Sequence, residues 1–62
     1  MKRTATRITI NNDDHHSWTC HEQITCEVTG EMNSGAKVWT DIESGKQYFL
    51  SRLFGKYYFC HI

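Results

Sequence analysis

A chain of 62 residues with a formal net charge of zero and 13% aromatic residues makes one small domain, 1–62, and such a chain hides only about 60% of the surface it exposes when unfolded. That size excludes a deep core and requires dense aromatic packing or a staple such as a disulfide, a metal or an oligomeric partner. The neutral balance excludes the global field behind strong nonspecific nucleic-acid binding.

Charge is nonetheless unevenly placed. Residues 1–10 carry +3, residues 11–34 carry −5 and residues 35–62 carry +2, so a local basic face on the carboxyl half is open to the fold. Met1 to Arg3 reads as a loose terminus. From Thr4 to Ile10 the β-branched run favours a strand with Ile8 and Ile10 facing inward. Asn11 to Ser17, NNDDHHS, is polar and turn-forming, because Asn and Asp side chains bond their own backbone. One helical turn beginning near Asp13 or Asp14 is the competing reading.

Trp18 to Val28 alternates: Trp18, Cys20, Glu22, Ile24, Cys26 and Val28 on one face, Thr19, His21, Gln23, Thr25 and Glu27 on the other. A period of two marks a half-buried strand. Glu22 interrupts its inward face, so a bulge or tight turn around His21 to Gln23 competes with an unbroken strand. Gly30 to Gly35 reads as a loop.

Ala36 to Glu43 alternates again, and Gln47 to Leu50 resumes after Ser44-Gly45 with β-forming aromatics. Residues 37–50 are therefore predicted to be a hairpin, with Gly45 supplying the positive φ. Ser51 to Lys56 reads as a second hairpin turn at Gly55 in preference to a short helix. Lys56 to Ile62 is a terminal strand with Tyr58, Cys60 and Ile62 on one face and Tyr57, Phe59 and His61 on the other. A strand apolar on both sides is central in a small barrel or is an edge that meets a partner. The fold class expected is mostly β: a small antiparallel meander of about five short strands, curled into a twisted sheet or small barrel, with at most one short helical turn.

Three cysteines, an odd number, without an apolar leader point to a reducing, cytoplasmic setting and no membrane span. A zinc site would draw on Cys20, Cys26, Cys60 and His61. Its C-x5-C spacing departs from the two to four residues common in structural sites, and an unbroken strand separates Cys20 from Cys26 by roughly 20 Å. The cysteines are expected to be small buried hydrophobes, with no cofactor bound. His15 and His16 beside Asp13 and Asp14 suit a solvated loop better than a metal, since neighbouring side chains diverge.

Catalysis is not expected. So short a chain leaves little room for a pocket of about 300 Å³ or more, and no phosphate loop or nucleophile motif is present. Aromatic and basic residues interleave at Lys37-Trp39, Lys46-Tyr48, Arg52 and Lys56-Tyr58, the pattern of a single-stranded nucleic-acid face. Protein binding is the leading class. Trp39, Arg52, Lys56, Tyr57, Phe59 and His61 are the expected partner-binding residues, several of them types that dominate interface energetics. The function expected is a non-enzymatic protein acting stoichiometrically on another protein, as an inhibitor or adaptor. An inhibitor of a host or defence complex carried by a mobile element is one instance, and a homodimer is an alternative use of the same surface.

Overall fold

The computed structural model of the chain describes residues 1–11 and 17–62. Five strands follow one another in sequence: β1 (Lys2–Ile10), β2 (Trp18–Glu31), β3 (Lys37–Asp41), β4 (Gln47–Leu53) and β5 (Lys56–His61). Each pairs antiparallel with the next, and β5 closes on β1 to complete a barrel. The closure is parallel, Thr6, Arg7 and Ile8 lying beside Tyr58, Phe59 and Cys60. Parity requires this, because in an up-and-down meander of five strands the first and last run the same way. The two-sided aromatic strand is therefore an inner member of the ring, paired on both edges.

The terminus is not loose. β1 begins at Lys2, which stands opposite Glu27, and the Val28 amide donates to the Met1 carbonyl at 3.2 Å. At the other end of this hairpin the Asn11 amide donates to the Ser17 carbonyl at 3.0 Å. The helical turn considered near Asp13 or Asp14, and the His15-His16 pair, lie outside the described residues.

β2 carries the bulge that Glu22 signalled. Thr6 pairs with Gln23 but Ile8 pairs with Cys20, so Arg7 alone faces both His21 and Glu22. One extra residue reverses the phase of everything beyond it. Ile24 stands opposite Ala5, and Cys26 is fully buried in the core. Trp18 and Cys20 stand opposite Ile10 and Ile8 on the outer wall, and Cys20 is exposed. The single inward face expected for Trp18 to Val28 is thus two half-faces. Ile8 is buried as expected, though it packs apart from the cluster around Phe59.

That core is Ala5, Cys26, Trp39, Tyr48 and Phe59, with Ile24, Val28 and Leu50 against it. Phe59 lies at its centre with its ring centroid 5.7 Å from Trp39 and 6.2 Å from Tyr48, spacings at which tilted rings attract. A smaller aromatic group forms outside, where Trp18 reaches Phe54 at 5.6 Å and Tyr58 at 5.8 Å. It brings the far end of the β1–β2 hairpin against the β4–β5 turn.

Both expected hairpin turns form. Gly45 has φ 75°, and the turn is anchored by buried Asp41, whose carboxylate accepts from the Glu43 amide at 3.0 Å and the Ser44 hydroxyl at 2.9 Å. At the second turn Leu53 pairs with Lys56, leaving a two-residue connection with φ 50° at Phe54 and 80° at Gly55. Two consecutive positive φ values are the primed geometry that matches the strand twist.

Candidate functional site at a cationic barrel mouth

The first residues of β1, β3 and β5, with the last of β2 and β4, ring one mouth of the barrel. Register places Arg3 opposite Cys26 and Arg52 opposite Tyr57, and Lys37 lies two residues before inward-facing Trp39. All three cations thus carry the inward phase but sit beyond the core, where the wall ends and side chains meet solvent. Below them lies an open cavity of about 580 Å³, with Met32, Trp39, Leu50 and Tyr57 in its lining and Arg3 and Lys37 at its rim.

The mouth extends into a seam. β3 and β4 share only the pairs Trp39–Tyr48 and Thr40–Gln47, and the strands part beyond them. Phe49 reaches the cavity through that gap. The Asp41 amide donates to the Lys46 carbonyl, so hydrogen-bonded pairs on this side of β4 fall on even residues. Leu50 and Arg52 therefore aim their backbone groups across the seam, where no strand is paired to receive them.

Electrostatics separate this mouth from its opposite. Both the Arg3 and Arg52 guanidinium groups lie over the Tyr57 ring, 4.7 and 5.7 Å from its centroid, as cation–π attraction favours. Among the described residues the one ion pair is Arg7–Glu22, so Arg3, Arg52 and Lys56 are in no ion pair there, whereas Lys37 stands opposite Glu31 of β2. The other mouth opens on a cavity of about 530 Å³ lined by Arg7, Glu22, Asp41 and Tyr48. Arg7 and Glu22 there are paired with each other, and Glu43 and Lys46 bring one charge of each sign to the same lining. Hydrogen bonding to Arg7 lowers the Glu22 carboxyl from its ordinary value, and the same contact raises Arg7. Asp41 is engaged by its own turn, and burial pushes the Tyr48 phenol up.

The chain matches no protein-family model, no curated protein and no solved structure. Its own residues therefore carry the functional argument.

Of the six expected partner-binding residues, Trp39 is 4% exposed and Phe59 is 0% exposed. Both build the core; Phe59 is closed off from solvent, while Trp39 also lines the floor of the mouth cavity. Arg52, Lys56 and Tyr57 are exposed and adjacent on the β4–β5 hairpin. His61 is exposed but stands at the far end of β5, edge-on to Tyr48 with centroids 5.4 Å apart, roughly 13 Å along the strand from Tyr57. The four residues named for zinc are not brought together, because the bulge sets Cys20 outside and Cys26 inside. Among the described residues no group of three or more His, Cys, Asp or Glu side chains converges. Thr9 and His21 share a 2.8 Å hydrogen bond on the exposed wall, away from both cavities.

Three residues were missed. Arg3 falls in the segment that reads as a loose terminus, although KRTATRITI alternates from its first residue. Met32 was hidden in a loop. Phe54 is 83% exposed at the hairpin tip, and the Phe-Gly dipeptide between two apolar runs was its signal.

Proposed function

We propose that the protein acts by stoichiometric binding of another protein, using the cationic mouth and the adjoining β4–β5 turn. The observation that carries this reading is Phe54. An aromatic ring 83% exposed is held at φ 50°, a backbone conformation that costs roughly 1–2 kcal/mol for a residue with a Cβ. Asn, Asp or Gly would relax that position. Backbone strain kept at an exposed aromatic fits a contact residue, and aromatic and Arg side chains are the commonest energetic anchors of protein interfaces. Tyr57, Arg52 and Lys56 stand beside it on the same hairpin.

The reading fits an inhibitor or adaptor, a protein whose work is contact. Nucleic-acid binding is less well supported, because Trp39 and Tyr48, two of the rings it needs for stacking, are buried. A reducing, cytoplasmic setting, in which all three thiols stay unpaired, belongs to the same reading.

The test is a pull-down from the native host with wild-type protein, Phe54→Ala, and the double variant Arg52→Glu plus Tyr57→Ala, each checked for a wild-type far-UV spectrum. A partner recovered near one-to-one with wild type and lost with folded variants is expected. Equal recovery with all three overturns the proposed surface, and recovery that disappears on nuclease treatment overturns the protein class.

A further inference from the structure

We infer that the occupant of the cationic mouth is an acidic, extended segment of the partner that adds as a strand along the free edge of β4. Its carboxylates meet Arg3 and Arg52, and an apolar side chain enters the cavity over Trp39 and Leu50. This rests on the binding function proposed above and names the chemistry of the partner.

Three features select that occupant. Arg3 and Arg52 converge on one ring, a gathering of like charges with no carboxylate partner among the described residues. An anion at the mouth would relieve their repulsion, and a carboxylate can meet each guanidinium through two parallel hydrogen bonds. Next, β4 beyond Tyr48 is no longer paired with its neighbour β3. An exposed row of backbone donors and acceptors is what strand addition uses, with affinity from the main chain and selectivity from alternate side chains. Finally, the cavity beneath is lined by Met32, Trp39 and Leu50, an apolar recess that rewards one anchoring side chain of the incoming strand.

The same features disfavour other occupants. At the mouth itself a nucleobase would have to displace the two guanidinium groups that already lie over Tyr57. A chain of zero net charge also lacks the global field that sustains nonspecific nucleic-acid affinity. A second copy pairing through this edge would set β4 against β4, bringing Arg52 toward its own counterpart, and like charges opposite one another oppose pairing.

The experiment uses fluorescence anisotropy with the full chain and a labelled nine-residue peptide of alternating Glu and Val with a central Phe, capped at both ends. Controls are the same peptide with Lys for Glu, two versions N-methylated on alternate residues in opposite phase, and a nine-nucleotide thymidine strand. Expected are at least tenfold tighter binding of the Glu peptide than of the Lys peptide, and at least tenfold weakening by Arg3→Glu plus Arg52→Glu. One N-methylated phase should bind at least tenfold more weakly and the other within twofold of the parent, since only one edge of an added strand bonds to β4. Equal binding of Glu and Lys peptides, equal effects of the two methylation phases, or tighter binding of the thymidine strand overturns the inference. If the pull-down partner is lost with the Arg52 and Tyr57 variant yet the Glu peptide does not bind, the docking face stands and strand addition falls. If the peptide binds as expected and no partner depends on that face, the stoichiometric function falls alone.

Discussion

Arg7 grips Glu22 at two points, Nε on Oε2 and Nη2 on Oε1, the latter at 3.1 Å, and Glu22 is half of the bulge that reverses β2. The pair accounts for a carboxylate in an otherwise apolar phase. With two residues of β2 opposite Arg7, the strand bends, Glu22 reaches the mouth instead of the core, and a planar guanidinium can meet it in fork geometry.

Removing that carboxyl gives a pH-dependent result. Pairing with Arg7 holds Glu22 below its ordinary value of 4.5. Its contribution to stability is therefore present above that value and lost as pH falls through the lower folded-state value. Glu22→Gln should melt below wild type near neutral pH. The gap should be small, because Glu22 is exposed and Arg7 only half-buried, and should shrink further in high salt. Melting curves from about pH 7 to about pH 3 check this; a gap that stays constant across the range refutes the ion pair as its source.

The barrel depends on Phe59 far more than on any surface residue. It is fully buried and touches the rings of Trp39 and Tyr48. Phe59→Ala should cost about 3–5 kcal/mol, a large share of the roughly 5–15 kcal/mol that holds a whole domain together. The expected outcome is a much lower melting temperature and urea midpoint than wild type, with a large unfolded fraction at about 25 °C. A urea midpoint within error of wild type contradicts the core assignment.

Much of this fold is legible in the residues. The 37–50 hairpin, the turn at Gly55 and the two-sided β5 follow from alternation and glycine placement, which report backbone conformation locally. Inside and outside were less legible. A period of two distinguishes two faces without saying which is buried, and the bulge at His21-Glu22 exchanges them halfway along β2. Trp39 and Phe59 are residue types shared by cores and interfaces, and only the closed ring settles them as core. The mouth was hidden for a different reason: Arg3, Lys37, Arg52 and Tyr57 are brought together by strand register and closure, which no local spacing encodes.

The β4–β5 turn offers a test of its backbone. Gly55 sits at φ 80° with open space where a Cβ would go, so substitution there meets conformational cost and no clash. Gly55→Ala should destabilise by about 1–2 kcal/mol, seen as a lower urea midpoint at unchanged slope. A midpoint equal to wild type excludes the two-residue turn.

The thiols should differ sharply in reactivity. Cys20 is exposed while Cys26 and Cys60 are buried. Burial, reinforced by the charge of Asp41 directly across β2 and β3, pushes the Cys26 thiol up to about 11. Only the thiolate attacks an alkylating reagent, so iodoacetamide at about pH 8 should modify Cys20 first and leave Cys26 protected until the barrel opens. Intact mass followed by peptide mapping reads the order. The raised value also sets a direction for stability: the contribution is whole below the ordinary 9.0 and is lost as pH rises toward the folded-state value, where ionisation favours the unfolded chain. Cys26→Ala leaves a cavity and should be less stable than wild type at pH 7, yet the two melting curves should converge as pH rises past about 9. Labelling of Cys26 at the rate of Cys20 under native conditions overturns its place in the core.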